Sequence, residues 1–311
     1  MRNFHCLLLG ALLLSVNVNA QSVFEVDGVC YRVLTEADDA TTFGTVEVVP
    51  RKNGFYEGVV NIPNGVKNSK GQYADTYKVI AIADKAFQNS MSLEKVSIPA
   101  SVEKIGQNAF SGCISLETVT FAKGNLATMG REVFKDSGIK HIEIPEGITD
   151  LPWIAFFGCK NLTDVVLPTT LRTIGCSAFA QCTSLREVKL PDGLREIMLG
   201  CFWGSGIEKI KLPSMITIVP NTFCQGCSNL KEVELSPNTM KIESNAFMGC
   251  TSLEKILLPE KLMTIESMAF GGCSSLKKVI FPKKHIGIDQ NAFYNCGTLT
   301  EIVNRPEGLN L

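Results

Sequence analysis

The stretch LTDVVLPTTLRTIGCSAFAQC, residues 162–182, decides the fold. Val165 and Leu167 alternate with Asp164 and Val166, the two-residue period of a strand with one apolar side. Pro168 has no amide hydrogen to give a ladder, so it ends that strand and forces a corner. Leu171 and Ile174 point inward from a second extended piece. Ala178 and Phe179 then lie on a tight helical or 3₁₀ turn, and Cys182 closes the unit. The pattern is L-x-x-V-x-L-P-x-x-L-x-x-I-x-x-x-A-F-x-x-C.

The same letters return along the chain. Phe87, Phe110, Phe134, Phe156, Phe179, Phe202, Phe223, Phe247, Phe270 and Phe293 stand 21 to 24 residues apart, most often 23. Self-similarity at such a period marks a solenoid, in which each unit buries its apolar face against the next. If equivalent residues stack at strand spacing, roughly 4.8 Å, the phenylalanines form one inward column. A second runs from Val96 through Val119, Ile142 and Val165 to Ile302. Three units depart from the pattern. The Phe134 and Phe202 units lose a residue before Ile139 and Ile207 and carry Ser-Gly, where glycine suits a tighter turn. The Phe223 unit reads as having one extra residue before Leu230, absorbed at a corner.

Two stretches, IGQNAFSGCISLETV at 105–119 and IESNAFMGCTSLEKI at 242–256, resemble the repeat of the BspA-like leucine-rich-repeat family. These proteins are common on bacterial surfaces, notably in relatives of Bacteroides. The resemblance covers roughly 77–304. It implies an α/β, β-rich, right-handed leucine-rich-repeat solenoid of about ten 23-residue repeats. Such proteins include adhesins that bind host matrix proteins and other cells. The non-repeating segment 21–76 reads as an N-terminal β-rich cap, with short strands around 24–33, 45–49 and 56–62. A C-terminal tail, 305–311, leaves a thin cap and an open edge at the far end.

The opening residues carry the layout of an export signal: Arg2, an apolar run over 6–16, and small residues at Val18-Asn19-Ala20. A signal peptide over 1–20 would deliver the chain to the periplasm, the cell surface or the medium. No later stretch is long and apolar enough to span a bilayer. The 30 basic and 31 acidic residues are interspersed, so the basic stripe of a nucleic-acid binder is missing.

Twelve cysteines in an exported chain invite disulfides, but the spacing points elsewhere. Cys113, Cys159, Cys182, Cys227, Cys250, Cys273 and Cys296 share one repeat position and are expected to form a buried ladder of free thiols, each bonding a backbone carbonyl. Cys30, Cys176, Cys201 and Cys224 lie outside it, and a bridge among them is conceivable. The lone C-x-x-C at Cys224 and Cys227 has no second pair and no nearby histidine, so no metal site is expected. His141 and His285 fall six repeats apart, and the neighbouring acids Glu232 and Glu234 read as a solvated face. No catalytic constellation, phosphate loop or cofactor site emerges.

Function is therefore sought on outward columns. The position after the inward Val/Ile ends in Leu257, Ile280 and Val303, an apolar stripe beside Lys255, Lys278 and Glu301. A contact surface for a protein, self-association through the thinly capped end, and plain β-propensity are the three readings of it. The position after the phenylalanines places Phe157 and Trp203 around the small Ala180, with Trp153 nearby. Two rings bordering a shallow slot would suit a protein hot spot or a sugar ring; burial under the corners is the alternative. The leading expectation is a non-catalytic module binding a host-matrix or cell-envelope protein. A glycan-binding accessory and a structural spacer are the alternatives.

Overall fold

The structure, a computed structural model, describes residues 22–36, 43–68 and 75–306. The expected signal peptide lies outside the described residues. From residue 77 onward the chain winds as a parallel β-solenoid of about ten turns of roughly 23 residues. Each full turn except that of Val188, which has only Glu196–Ile197, supplies two short strands. Leu93–Ile98, Thr118–Phe121, His141–Glu143 and Asp164–Val166 pair in register, with Val96 beside Val119 and Ile142 beside Val165. A second ladder brings Ile82, Ile105 and Met129 side by side in the same way.

The Ala-Phe corner is not helical; among the described residues every regular element is a strand. Left-handed residues on either side of the corner explain this. Ser177 (φ 53°) precedes Ala178-Phe179, and Gln181 (φ 60°) follows within two residues. Too few right-handed residues remain between them for a helical turn to close. The first of these positions recurs from Lys85 to Met268 and even holds the β-branched Ile154 (φ 62°). The second is filled mostly by Gly, Asn or Asp, which tolerate that conformation.

Proline punctuates the second ladder. The residue after each inward aliphatic normally donates its N–H to the preceding turn, as Gly175 does to Leu151 (2.9 Å) and Met198 to Ile174 (2.9 Å). Pro152 and Pro220 occupy that position and have no N–H. The sheet breaks at both places, between Met129 and Leu151 and between Ile197 and Val219.

The ten phenylalanines form a continuous buried spine. Most neighbouring rings are stacked, such as Phe134 on Phe156 (5.3 Å, 10°) and Phe156 on Phe179 (5.5 Å, 4°). Phe223 is the exception, edge-on to Phe202 (86°) and to Phe247 (90°). Its turn has no extra residue at the corner. Phe202 donates its N–H to the Phe223 carbonyl, the atom that the alanine supplies elsewhere, and Cys224 donates to Ala246 as a phenylalanine would. Phe223 therefore stands in the alanine position and Cys224 in the phenylalanine position. The ring enters the spine from one residue early and turns through a right angle to fit.

The glycines of the two shortened units are needed for space rather than for turn conformation. A Cβ on Gly138 would lie 2.1 Å from the Ile114 carbonyl oxygen, and one on Gly206 would lie 2.2 Å from that of Thr183. Neither has a positive φ.

Beside the spine runs the thiol ladder, and the eleven described cysteines are free. Cys113 donates to the Phe87 carbonyl (3.0 Å), Cys159 to Phe134 (3.0 Å), Cys182 to Phe156 (3.1 Å) and Cys227 to Phe202 (2.9 Å). Ser137 and Ser205 fill this column in the two shortened units and meet the next thiol, Cys159 or Cys227, at 3.4 Å. Burial pushes the Cys113 and Cys159 thiols up to about 12 and Cys182 and Cys250 well above their usual range.

At the N-terminal end, Val23–Val26, Val29–Thr35 and Gly44–Val48 form an antiparallel meander. Gly44–Val48 then joins one solenoid ladder in parallel through Asp75–Ile82, and Gly58–Asn61 joins the other through Leu93–Ile98. Tyr56 starts the aromatic spine, 4.5 Å from Phe87. Its hydroxyl donates to Val49 O (2.7 Å) and accepts from Cys30 N–H (3.0 Å), so the buried phenol is satisfied at both roles.

Candidate binding surfaces

With Ile256 and Val279 packed inside, the next residue of each strand must face outward. Lys255–Leu257, Lys278–Ile280 and Glu301–Val303 pair in parallel, bringing Leu257 beside Ile280 and Ile280 beside Val303. Leu257 is 62% exposed, whereas Ile280 and Val303 are half-buried. The flanking column brings Lys255 beside Lys278 and Lys278 beside Glu301, to which Lys278 is ion-paired. The result is a small aliphatic strip with a charged border at one end of the rod. Among the described residues, no strand covers the outer edge of Glu301–Val303.

Phe157 and Trp203 meet above the buried Ala180, with ring centroids 6.4 Å apart and planes at 45°. Their separation is that of a tilted aromatic contact. Trp203 remains 41% exposed and Phe157 half-buried. Trp153 makes a contact of its own, with the Arg131 guanidinium 4.5 Å from its ring centroid. In the turn of Phe223 the outward position after the spine belongs to Gln225, since Cys224 is fully buried in the phenylalanine place.

A third feature was not anticipated from the sequence. Between the inward-facing Val188 and Ile210, the first ladder opens into a cleft of about 440 Å³. Val188, Leu190 and Ile210 line its apolar part, and Lys189, Lys209, Lys211, Glu187, Asp192, Glu232 and Glu234 supply the charge. Lys209 reaches Glu187 (2.9 Å) and Lys211 reaches Glu234 (2.6 Å). A signal was present in the repeat alignment. Stacking puts Asp164 next to Glu187 in one outward column and Lys189 next to Lys211 in the other. Like charges on neighbouring strands oppose pairing.

The two histidines stay apart. His141 Nδ1 lies 2.6 Å from Asp164 Oδ2 on the exposed face of adjacent turns, while His285 is exposed near the far end. Among the described residues, no group of three His, Cys, Asp or Glu side chains is arranged to hold a metal ion, and no helix is long and apolar enough to cross a membrane.

A family profile described as "BspA type Leucine rich repeat region" matches six copies, over residues 80–206, 153–256 and 195–309. The chain belongs to the BspA-type leucine-rich-repeat family. That family is a non-catalytic repeat scaffold that serves protein interaction. Among solved structures, the pneumococcal vaccine antigen PcpA is similar, at 21% identity and a TM-score of 0.62 over 91% of this chain and 81% of that one. This likeness bears on the fold alone. A leucine-rich-repeat protein from Bacteroides ovatus is 27% identical over 90% of this chain and 94% of that one, with a TM-score of 0.45. A leucine-rich cell surface protein from Faecalibacterium prausnitzii is 22% identical over 92% and 95%, with a TM-score of 0.41. No curated protein matches.

Proposed function

We propose that this BspA-type protein is an exported, non-catalytic binding module that recognises a host-matrix or cell-envelope protein through Leu257, Ile280 and Val303, with Lys255 and Lys278 on the rim. One observation carries the reading: the register of three adjacent strands sets these aliphatic side chains side by side on the outward face. An apolar strip with charged borders gains by excluding water while its charges orient the partner. Phe157 and Trp203 add a second contact; rings meeting at 45° suit a protein side chain better than the flat face of a sugar.

The test replaces Leu257, Ile280 and Val303 with Ser together and measures binding to a panel of purified matrix and envelope proteins, alongside sedimentation of the protein alone. Leu257 is exposed but Ile280 and Val303 are half-buried, so the triple variant is expected to lose about 1–3 kcal/mol, and circular dichroism checks that it stays folded. Loss of partner binding with an unchanged sedimentation coefficient supports the reading. Loss of a dimer instead assigns the strip to self-association through the terminal turn. Survival of both removes the strip from function. Glycan capture is the alternative for Phe157 and Trp203, and a glycan array with Trp203→Ala as control separates it from protein binding.

A further inference from the structure

The first ladder fails in the turn containing Val188. Residues 187–190 keep their strand-like alternation, with Val188 and Leu190 buried and Glu187 and Lys189 exposed. Yet among the described residues none of their backbone N–H or C=O groups has a hydrogen-bond partner. Asp164–Val166 on one side pairs only with His141–Glu143, and Lys209–Lys211 on the other pairs only with Glu232–Glu234. Hydrogen bonds resume at the preceding corner, where Glu208 donates to Arg186 O (2.8 Å) and Gly206 to Cys182 O (3.1 Å). Beyond the cleft Pro220 removes the bond that would close the second ladder between the same two turns. The two turns are thus joined through the Phe corner as well, where Gly200, Phe202 and Gly204 donate to the Asn221, Phe223 and Gln225 carbonyls, and are unlatched only along the two strands.

Backbone polar groups inside a protein are almost always paired, so four consecutive unpaired residues in mid-ladder mark a vacant strand edge. The walls add a chemical preference. Lys189 and Lys211 face the cleft from neighbouring turns of one outward column, where an in-register ladder would press like charges together. Lys211 has Glu234 on its far side, while Lys189 makes no ion pair among the described residues. A carboxylate placed between them would neutralise that column.

We infer that this break is a strand-addition site for an extended acidic peptide segment of a partner protein. The peptide backbone pairs with residues 187–190, and an acidic side chain sits between Lys189 and Lys211. Main-chain pairing supplies affinity in such sites, and alternate side chains supply specificity. A cleft of about 440 Å³ holds a few peptide residues rather than a folded domain. This surface is separate from the Leu257–Ile280–Val303 strip, so the triple-Ser variant does not bear on it.

The experiment titrates the full chain with the capped peptide acetyl-Val-Glu-Val-Glu-amide, reading amide hydrogen exchange at 187–190 and 209–211 by NMR. Controls are the Lys-for-Glu peptide and a peptide with Pro in place of the central Val. The acidic peptide is expected to bind saturably and to slow exchange at 187–190; the basic and Pro peptides are expected not to. Lys189→Glu and Lys211→Glu, both at exposed positions, are each expected to weaken binding by about tenfold. Rapid binding without any change in exchange at 187–190, equal binding of the Pro or basic peptide, or no binding of the acidic peptide overturns the inference. So does full protection of those amides in the free protein.

Discussion

Replacing Phe223 by Ala and Cys224 by Phe, singly and together, tests the register of the spine in a single cycle. Phe223 is fully buried and meets its neighbours edge-on at 5.5 and 6.0 Å. Phe223→Ala empties a ring-sized volume and is expected to cost about 3–5 kcal/mol. Cys224→Phe alone forces a second ring into a place already filled from next door and is expected to cost about 1–3 kcal/mol. If the sites were independent, the double variant would lose about 4–8 kcal/mol by simple addition. The structure implies otherwise. The double variant restores Ala-Phe at the positions where neighbouring turns carry it, so its ring stacks as Phe156 does between Phe134 and Phe179. It is expected to unfold within about 1–2 kcal/mol of the parent, a coupling of several kcal/mol. Urea unfolding followed by circular dichroism, with slopes compared as well as midpoints, reads this directly. A double variant as weak as the sum of its parts would refute the register.

Other outcomes follow from the core. Iodoacetamide at pH 8 under native conditions is expected to modify the half-buried Cys176, to reach Cys296 more slowly because burial pushes its thiol up to about 11, and to spare Cys159 and Cys182, checked by peptide mass spectrometry. Stability should fall steeply in alkali. The unfolded chain releases thiol protons near 9 while buried Cys113 and Cys159 hold theirs to about 12. Stability from these groups is therefore intact below pH 9 and is lost as pH climbs towards 12, at about 1.4 kcal/mol per thiol per pH unit. Melting temperatures between pH 8 and 10.5 test it, and a Cys113→Ala/Cys159→Ala variant should show a shallower decline. Gly206→Ala, whose methyl would meet the Thr183 carbonyl at 2.2 Å, is expected to lower stability by about 1–3 kcal/mol in the same urea assay.

The chain's periodicity made the fold and its inward columns legible because each buried column repeats one chemical type at one spacing. The thiol ladder and its bonding to backbone carbonyls could be foreseen for the same reason, though not which carbonyls. What misled was anchoring on the phenylalanines. Counted from the inward aliphatics, Ile174 precedes Phe179 by five residues but Val219 precedes Phe223 by only four, which places Phe223 in the alanine position. The helical reading of the corner failed because backbone conformation, not composition, decides it: residues as different as Lys85, Ile154 and Ser177 all adopt positive φ there. The cleft escaped notice because it comes from missing hydrogen bonds. Only the like-charge columns and Pro220 hinted at it.

The most direct test of the account measures whether turns stack in register along one axis. Spin labels on cysteines placed at outward column positions, Thr120 with Glu143, Val166, Glu234 or Leu257 in turn, report pairwise distances by pulsed electron resonance. The labels are placed in a Cys176→Ala/Cys296→Ala background, since these two native thiols are half-buried, and the buried thiols should stay unlabelled. Distances rising by about 4.8 Å per turn, so that Thr120 and Leu257 lie about 29 Å apart across six turns, are the expected result. Distances that fail to grow with the number of turns, or that scatter for neighbouring pairs, would contradict the stacked columns and with them every outward surface assigned to binding.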